Sequence, residues 1–161
     1  MYRIRPAEQA DAVFLADMLV EAFNWHPDRM RRRVELLADP SVNRYLAGWR
    51  RPGDDGVLAV DDHGDPVGAC WFRVLPKRDA GYGWVAAGVP ELTLGVRPIH
   101  RARGVGRTQL RATCAVATGR GHQRISLSVE RANFASRLYV SEGFATLTSG
   151  PDADTMVKTL R

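Results

Sequence analysis

The sequence predicts one α/β domain built on a mixed sheet, and three observations carry that reading. Its 161 residues, 45% hydrophobic and 25% charged, suit a single globular domain of ordinary size and argue against disorder. Segments of alternating polarity and segments of helical period follow one another along the whole chain, in the order β-α-α-β-β-β-α-β-α-β-β. Two strand pairs read as antiparallel: one across a turn-rich stretch at residues 61–65, the other at the C-terminal end.

Tyr2 to Arg5 alternates and forms the first strand. Pro6, Ala7 and Glu8 open a helix, with the proline near the first turn, where its missing N–H costs nothing. Phe14, Leu15, Met18, Leu19, Ala22 and Phe23 then recur at helical spacing until Asn24-Trp25-His26-Pro27 breaks the pattern. A second helix is predicted over Asp28 to Leu37, its Arg29–Arg33 run a solvated face, and Pro52, Gly53 and Gly56 mark a loop. Val57–Val60 and Pro66–Val74 are strands joined by Asp61-Asp62-His63-Gly64-Asp65. Gly81 to Pro90 carries no clear signal. Glu91 to Val96 is a strand containing Gly95, a residue expected at a bulge or a close backbone approach. Gly106 to Thr118 turns helical, with Leu110, Thr113, Cys114 and Ala117 on one side. Arg124 to Val129 alternates again. Asn133 to Glu142 reads as a short helix ending at Gly143, well placed as the C′ glycine. Phe144–Leu147 and Thr155–Leu160 complete the sheet.

Composition excludes several classes of function. The net charge of +5 is mild, and all but Lys77 and Lys158 of the 23 cationic residues are arginine, a skew that a GC-rich coding genome produces by itself. Cys70 and Cys114 sit in apolar surroundings without CxxC or Cys/His spacing, so free thiols are expected rather than a disulfide or a metal site. No uncharged run is long enough for a membrane span, and Arg3, Arg5, Glu8 and Asp11 leave no apolar leader core. A cytoplasmic protein without membrane partners is the expectation.

The segment that carries chemistry is Arg97-Pro98-Ile99-His100-Arg101-Ala102-Arg103-Gly104-Val105-Gly106-Arg107. It runs from a strand through a basic glycine loop into a helix. A helix N-terminus presents unpaired N–H groups and the positive end of the dipole to an anion. Gly104 and Gly106 leave those amides open, and Arg101, Arg103 and Arg107 add charge at the rim. A Walker loop is excluded because no Gly-Lys pair exists in the chain. The dinucleotide fingerprint is excluded because Gln109 stands where its third glycine belongs. Arg101-x-x-Gly104-x-Gly106 instead fits the Arg/Gln-x-x-Gly-x-Gly/Ala loop that cradles a pyrophosphate.

With Val96-Arg97-Pro98 before that loop, and Ile125–Val129, Asn133, Tyr139 and Gly143-Phe144 after it, the chain resembles the GNAT family of N-acetyltransferases. The specific match covers residues 91–147. The resemblance implies a single domain over residues 1–161 and a mostly antiparallel sheet flanked by about four helices. It also implies that the fourth and fifth strands splay apart, and that acetyl-CoA is the acyl donor, with no metal. By the same resemblance, the amides of Arg101, Ala102, Arg103, Gly104, Val105, Gly106 and Arg107 would hold the pyrophosphate. The pantetheine arm would lie between the strands, pairing with backbone at Leu94, Gly95 and Val96, close to Asn133 and Ser136. Tyr139 would stand by the thioester sulfur as acid.

The chemistry asks for such parts independently. An amine with an ordinary pKa near 10 must lose a proton before it attacks, so a carboxylate or a water chain must accept it. Glu91, at the start of the central strand, is the candidate base, and His26 an alternative. A backbone amide near Gly95 or Val96 could receive the oxyanion. The acceptor, a small-molecule or peptide amine, would meet Trp25, His26 and Trp84, with Trp71, Tyr82, Asp152 and Asp154 nearby. A homodimer is compatible with a domain of this size. Two other classes compete with the enzyme: a non-catalytic acyl-CoA-binding or regulatory module of the same fold, and a nucleic-acid binder using the Arg97–Arg111 cluster. The second of these is disfavoured because the arginines surround a phosphate loop and no recognition helix accompanies them.

Overall fold

A computed structural model describes residues 1–161. Along the chain lie β1 (Arg3–Pro6), α1 (Ala12–Phe23), α2 (Arg33–Ala38), α3 (Pro40–Asn43), β2 (Asp55–Val60) and β3 (Pro66–Arg73). They are followed by β4 (Glu91–Val96), α4 (Val105–Gly119), β5 (Arg124–Glu130), α5 (Ala135–Ser141), β6 (Ala145–Ser149) and β7 (Ala153–Thr159). The strands form one sheet in the order β1-β2-β3-β4-β5-β7-β6. Every neighbouring pair is antiparallel except β4 and β5. That parallel pair needs a crossover, and α4 supplies it. The expected mixed, mostly antiparallel sheet is present, with one more helix than anticipated, the short α3.

The central strands bury apolar side chains on both faces of the sheet, with a few polar ones (Arg73, Glu91, Thr93 and Ser126) buried among them. On β3, Ala69 and Trp71 join the cluster under α1, while Cys70 and Phe72 join the one under α4 and α5. The first cluster holds Leu15, Leu19, Leu36 and Tyr45; the second holds Leu92, Leu110, Leu127 and Phe144. Arg73 is buried among them, paired bidentately with Asp54 at 3.0 and 2.7 Å. Its remaining donors reach the carbonyls of Arg44 and Ala47, fastening the segment after α3 to the sheet.

Two local expectations are corrected, and the two alternatives open at Gly95 are decided. The first helix begins later than Pro6: Glu8 N–H donates to the Asp11 carboxylate at 2.7 Å, Arg5 clamps that carboxylate, and residues 9–11 form a 3-10 turn. The second helix does not start at Asp28. The Asn24 side chain grips both main-chain groups of Arg31, at 2.8 and 2.9 Å, and holds the chain extended until Arg33. Gly95 is not at a bulge, since the β3–β4 register runs unbroken from Gly68 opposite Val96 to Arg73 opposite Glu91. It is a close approach: a Cβ there would stand 2.5 Å from the Met18 carbonyl of α1.

Candidate active site

The site begins with a gap in the sheet. β4 and β5 pair only where Glu91 faces Ser126, and beyond that point they splay. Arg97 N–H donates to Val67 O at 2.8 Å, which fixes the phase of the β3–β4 ladder. By antiparallel alternation, the main-chain groups of Glu91, Thr93 and Gly95 are committed to β3. Those of Leu94 and Val96 face the gap with no strand opposite. This moves the oxyanion expectation: the amide of Gly95 is already spent, and the free ones belong to Leu94 and Val96.

Past β4 the chain turns into α4 through the glycine loop. The amides of Ala102 to Arg107 find no acceptor within the chain, whereas Arg101 N–H is used by Pro98 O and Thr108 N–H by Gly104 O. Two residues set this fan of donors. Gly104 has φ +82° and Ala102 φ +59°, both in the left-handed region. Gly104 was legible as such; Ala102, the sole non-glycine with positive φ, was not. Gly106 has ordinary helical backbone, and a Cβ there would lie 3.4 Å from Leu138 Cδ2, so it sets the spacing between α4 and α5. Val105 is buried, on a cluster with Ala59 and Val67, and anchors the first turn of α4.

The arginines divide their work. Arg101 binds Val96 O and Glu21, tying the loop to β4 and α1. Arg107 binds Ser141 and Glu142, and Arg111 shares the same carboxylate, so both clamp α4 onto α5. Arg97 stacks over Phe14 at 5.1 Å. Arg103 alone in this group is exposed with no ion pair or hydrogen bond. The Arg97–Arg111 cluster is therefore mostly consumed by the fold rather than laid out as a stripe for nucleic acid. The donor fan fits a diphosphate: unpartnered amides at a helix start, a glycine that keeps them uncovered, and one free guanidinium beside them.

One cavity of about 1060 Å³ joins this loop to the inside of the sheet. At its far end stands Glu91, only 3% exposed. Its Oε2 accepts the Tyr45 hydroxyl at 2.5 Å and Gly83 N–H at 3.0 Å, while Oε1 is buried without any partner. Burial dominates and pushes the carboxyl up to about 7; the bonds from Tyr45 and Gly83 and the charge of Arg44 hold it down. Gly83 is itself fixed, its carbonyl taking the Ser126 hydroxyl at 2.7 Å. Gly81 leaves room for the pair, since a Cβ there would strike Glu91 Oε1 and the Tyr45 hydroxyl.

Tyr139 lines the same cavity from α5. Its ring packs edge-on against Phe144 at 5.8 Å, and its hydroxyl makes no hydrogen bond within the chain. Burial, and secondarily Cys70, push the phenol above its ordinary value, so it stays protonated. Asn133 lies in the turn before α5, not within it; its Oδ1 accepts Ala135 N–H at 3.0 Å and its amide nitrogen stays free. Asn133 lines the cavity, as do Leu94, Gly95, Val96, Arg101, Ala102, Gly104, Gly106 and Arg107. Arg103, Val105 and Ser136 do not, and Ser136 is half-buried on α5.

Of the expected acceptor contacts, Trp25 lines the cavity, with its indole N–H bonded to Glu130. His26 does not; its Nδ1 accepts Asp28 N–H and closes a local turn. Trp84 does not line the cavity either; its ring packs against the core under α1 and its indole N–H donates to Leu75 O at 3.0 Å. Trp71 is wholly buried on Tyr45 O, and Asp154 pairs with Arg131. Tyr45, Phe23 and Glu130 line the cavity and were missed.

Comparison with known proteins bears on the family and the fold. The sequence model of the Acetyltransferase (GNAT) family matches residues 15–144. Mycothiol acetyltransferase of Thermobispora bispora is 30% identical over 128 residues; the match covers 79% of this chain and 40% of that protein. Among solved structures, PaiA N-acetyltransferase of Thermoplasma acidophilum, in complex with coenzyme A, superposes with a TM-score of 0.67 at 17% identity, over 99% of each chain. YncA of Salmonella typhimurium, with its cofactor acetyl-CoA, gives 0.68 at 21% identity, over 100% of this chain and 95% of that one. At these identities the structural likeness speaks for the fold. No helix is long and apolar enough to cross a membrane, and no cluster of potential metal ligands occurs.

Proposed function

The chain belongs to the GNAT family of acetyltransferases, and from that premise we propose that it transfers an acetyl group from acetyl-CoA to a primary amine of a small molecule or peptide. The observation that carries this reading is the single cavity that opens on the unpartnered amides of the loop at one end and on a buried carboxylate at the other. The bound donor would supply an activated carbonyl and a thiolate leaving group.

The chain's own residues have separable tasks. The amides of Ala102 to Arg107, with Arg103, hold the diphosphate. Leu94 and Val96 offer main-chain groups to an extended arm entering the gap, as an added strand would find them. Asn133 keeps two amide hydrogens for the same arm. Glu91 accepts the proton that the amine gives up as its nitrogen bonds to the acetyl carbon and the C–S bond breaks. A carboxyl near 7 is partly ionised at neutral pH and is matched to that transfer. Tyr139, held protonated by burial, returns a proton to the departing sulfur. The test is release of free coenzyme A from acetyl-CoA in the presence of an amine panel, with the acetylated product identified by its mass. Tight coenzyme A binding without acetylation of any amine would contradict the proposal.

A further inference from the structure

The chemistry around Glu91 restricts which amine can be accepted. Strand alternation puts Thr93 of β4 and Ser128 and Glu130 of β5 on the same sheet face as Glu91, because Glu91 and Ser126 are level. All three line the cavity, and Phe23, Trp25, Tyr45 and Tyr82 wall it. No lysine or arginine lines this end; the lining arginines belong to the loop, α4 and α5. Two carboxylate oxygens here lack a hydrogen-bond donor. Glu91 Oε1 is buried without a partner. Glu130 accepts the Trp25 indole N–H on Oε2, and its Oε1 forms an ion pair with the exposed Arg29 guanidinium at 3.8 Å, longer than a hydrogen bond; that guanidinium also lies over the Trp25 ring at 5.5 Å, at the rim where an incoming cation would compete with it. Aromatic faces beside these two carboxylates, one of them with a buried oxygen that has no donor, attract cations and disfavour a carboxylate on the incoming molecule.

We propose that the acceptor is an amine whose carrier bears a second positive charge, read by Glu130 while the reacting nitrogen meets Glu91. This rests on the acetyl-transfer reading of the same cavity. Glu130 lies four residues beyond the level of Glu91, about 13 Å along the strand, so the second charge must sit well away from the reacting nitrogen. A carrier with its carboxylate next to the amine, as in an α-amino acid with an uncharged side chain, lacks the cation and adds a repelled group.

The probes are α,ω-diaminoalkanes of three to ten carbons and n-alkylamines of matched length. They are read both by calorimetric binding to the coenzyme A complex and by kcat/KM for acetyl transfer. The longer diamines are expected to surpass the matched monoamines by about fivefold or more. Glu130→Gln should bring that ratio close to one. Trp25→Phe, which removes the indole bond and leaves the carboxylate, should keep it. A wild-type chain that binds both series alike, or a preference that survives Glu130→Gln, overturns the proposal. If diamines bind preferentially but no amine is acetylated, the charge reading stands and the acetyl-transfer reading falls.

Discussion

Replacing Glu91 with glutamine separates proton transfer from packing. The carboxylate gives one oxygen to the Tyr45 hydroxyl and Gly83 N–H and leaves the other unpartnered. A glutamine carbonyl can take the same two bonds, so the side chain keeps its place, loses its charge and sets an amide NH2 where the unpartnered oxygen stands, a cost that does not vary with pH. In the wild type, burial raises the carboxyl from 4.5 to about 7. Between those values the folded chain holds a proton that the unfolded chain releases. Linkage then requires folding stability to fall as pH rises through this window, by roughly 3 kcal/mol for a shift of this size. The variant carries no such proton. Urea unfolding of both proteins near pH 4.5 and near pH 8 should show the variant gaining on the wild type by up to about 3 kcal/mol at the higher pH. Amine acetylation should meanwhile fall by about 10²- to 10⁴-fold, the usual contribution of a general base. The substitution would thus remove the pH-dependent loss of stability and the activity together. A stability difference that does not change with pH would refute the raised carboxyl, and unchanged kcat/KM would remove Glu91 as the base.

Four further outcomes follow from the same geometry. Tyr45→Phe deletes the strongest influence opposing the burial of Glu91, so the rising limb of the pH–kcat/KM profile should move to higher pH; an unmoved limb would mean Glu91 does not govern it. Tyr139→Phe removes a hydroxyl with no partner in the chain, so stability should change by less than about 1 kcal/mol while kcat falls more than KM; an unaltered kcat with chemistry rate-limiting would release Tyr139 from the mechanism. Gly104→Val forces a branched residue to φ +82° and covers the amides, costing about 1–2 kcal/mol of stability and abolishing measurable coenzyme A binding in calorimetry; retained affinity would count against the loop. Asp54→Ala strands the Arg73 guanidinium inside the protein and should cost about 3–5 kcal/mol in urea unfolding; a loss below about 1 kcal/mol would show that the pair is not what pins the segment after α3.

What the sequence made legible was local. The β4–loop–α4 segment announces itself through a strand of period two, glycine where φ turns positive, and a helix with one apolar side, all within a short stretch of chain. The boundaries of β4 and the C′ glycine at Gly143, with φ +95°, were readable for the same reason. The acceptor end was not, because tertiary contacts assemble it. Tyr45 meets Glu91 across 46 positions, and Trp25 meets Glu130 across 105, from segments whose periodicity says nothing of their partners. The same cause misplaced the second helix: the bracket from Asn24 to Arg31 overrides helical propensity with two side-chain bonds. Ala102 escaped because alanine carries no warning of a left-handed backbone, whereas Gly95 left a bulge and a close approach open, and the neighbouring helix that presses on the strand decides for the close approach.

A crystal structure of this chain soaked with coenzyme A bears most directly on the account. The diphosphate oxygens should lie within hydrogen-bond distance of the N–H groups of residues 102–107, with the arm threaded between β4 and β5 and its sulfur between Tyr139 and Glu91. Density for the diphosphate elsewhere, with those N–H groups left to solvent, would contradict it.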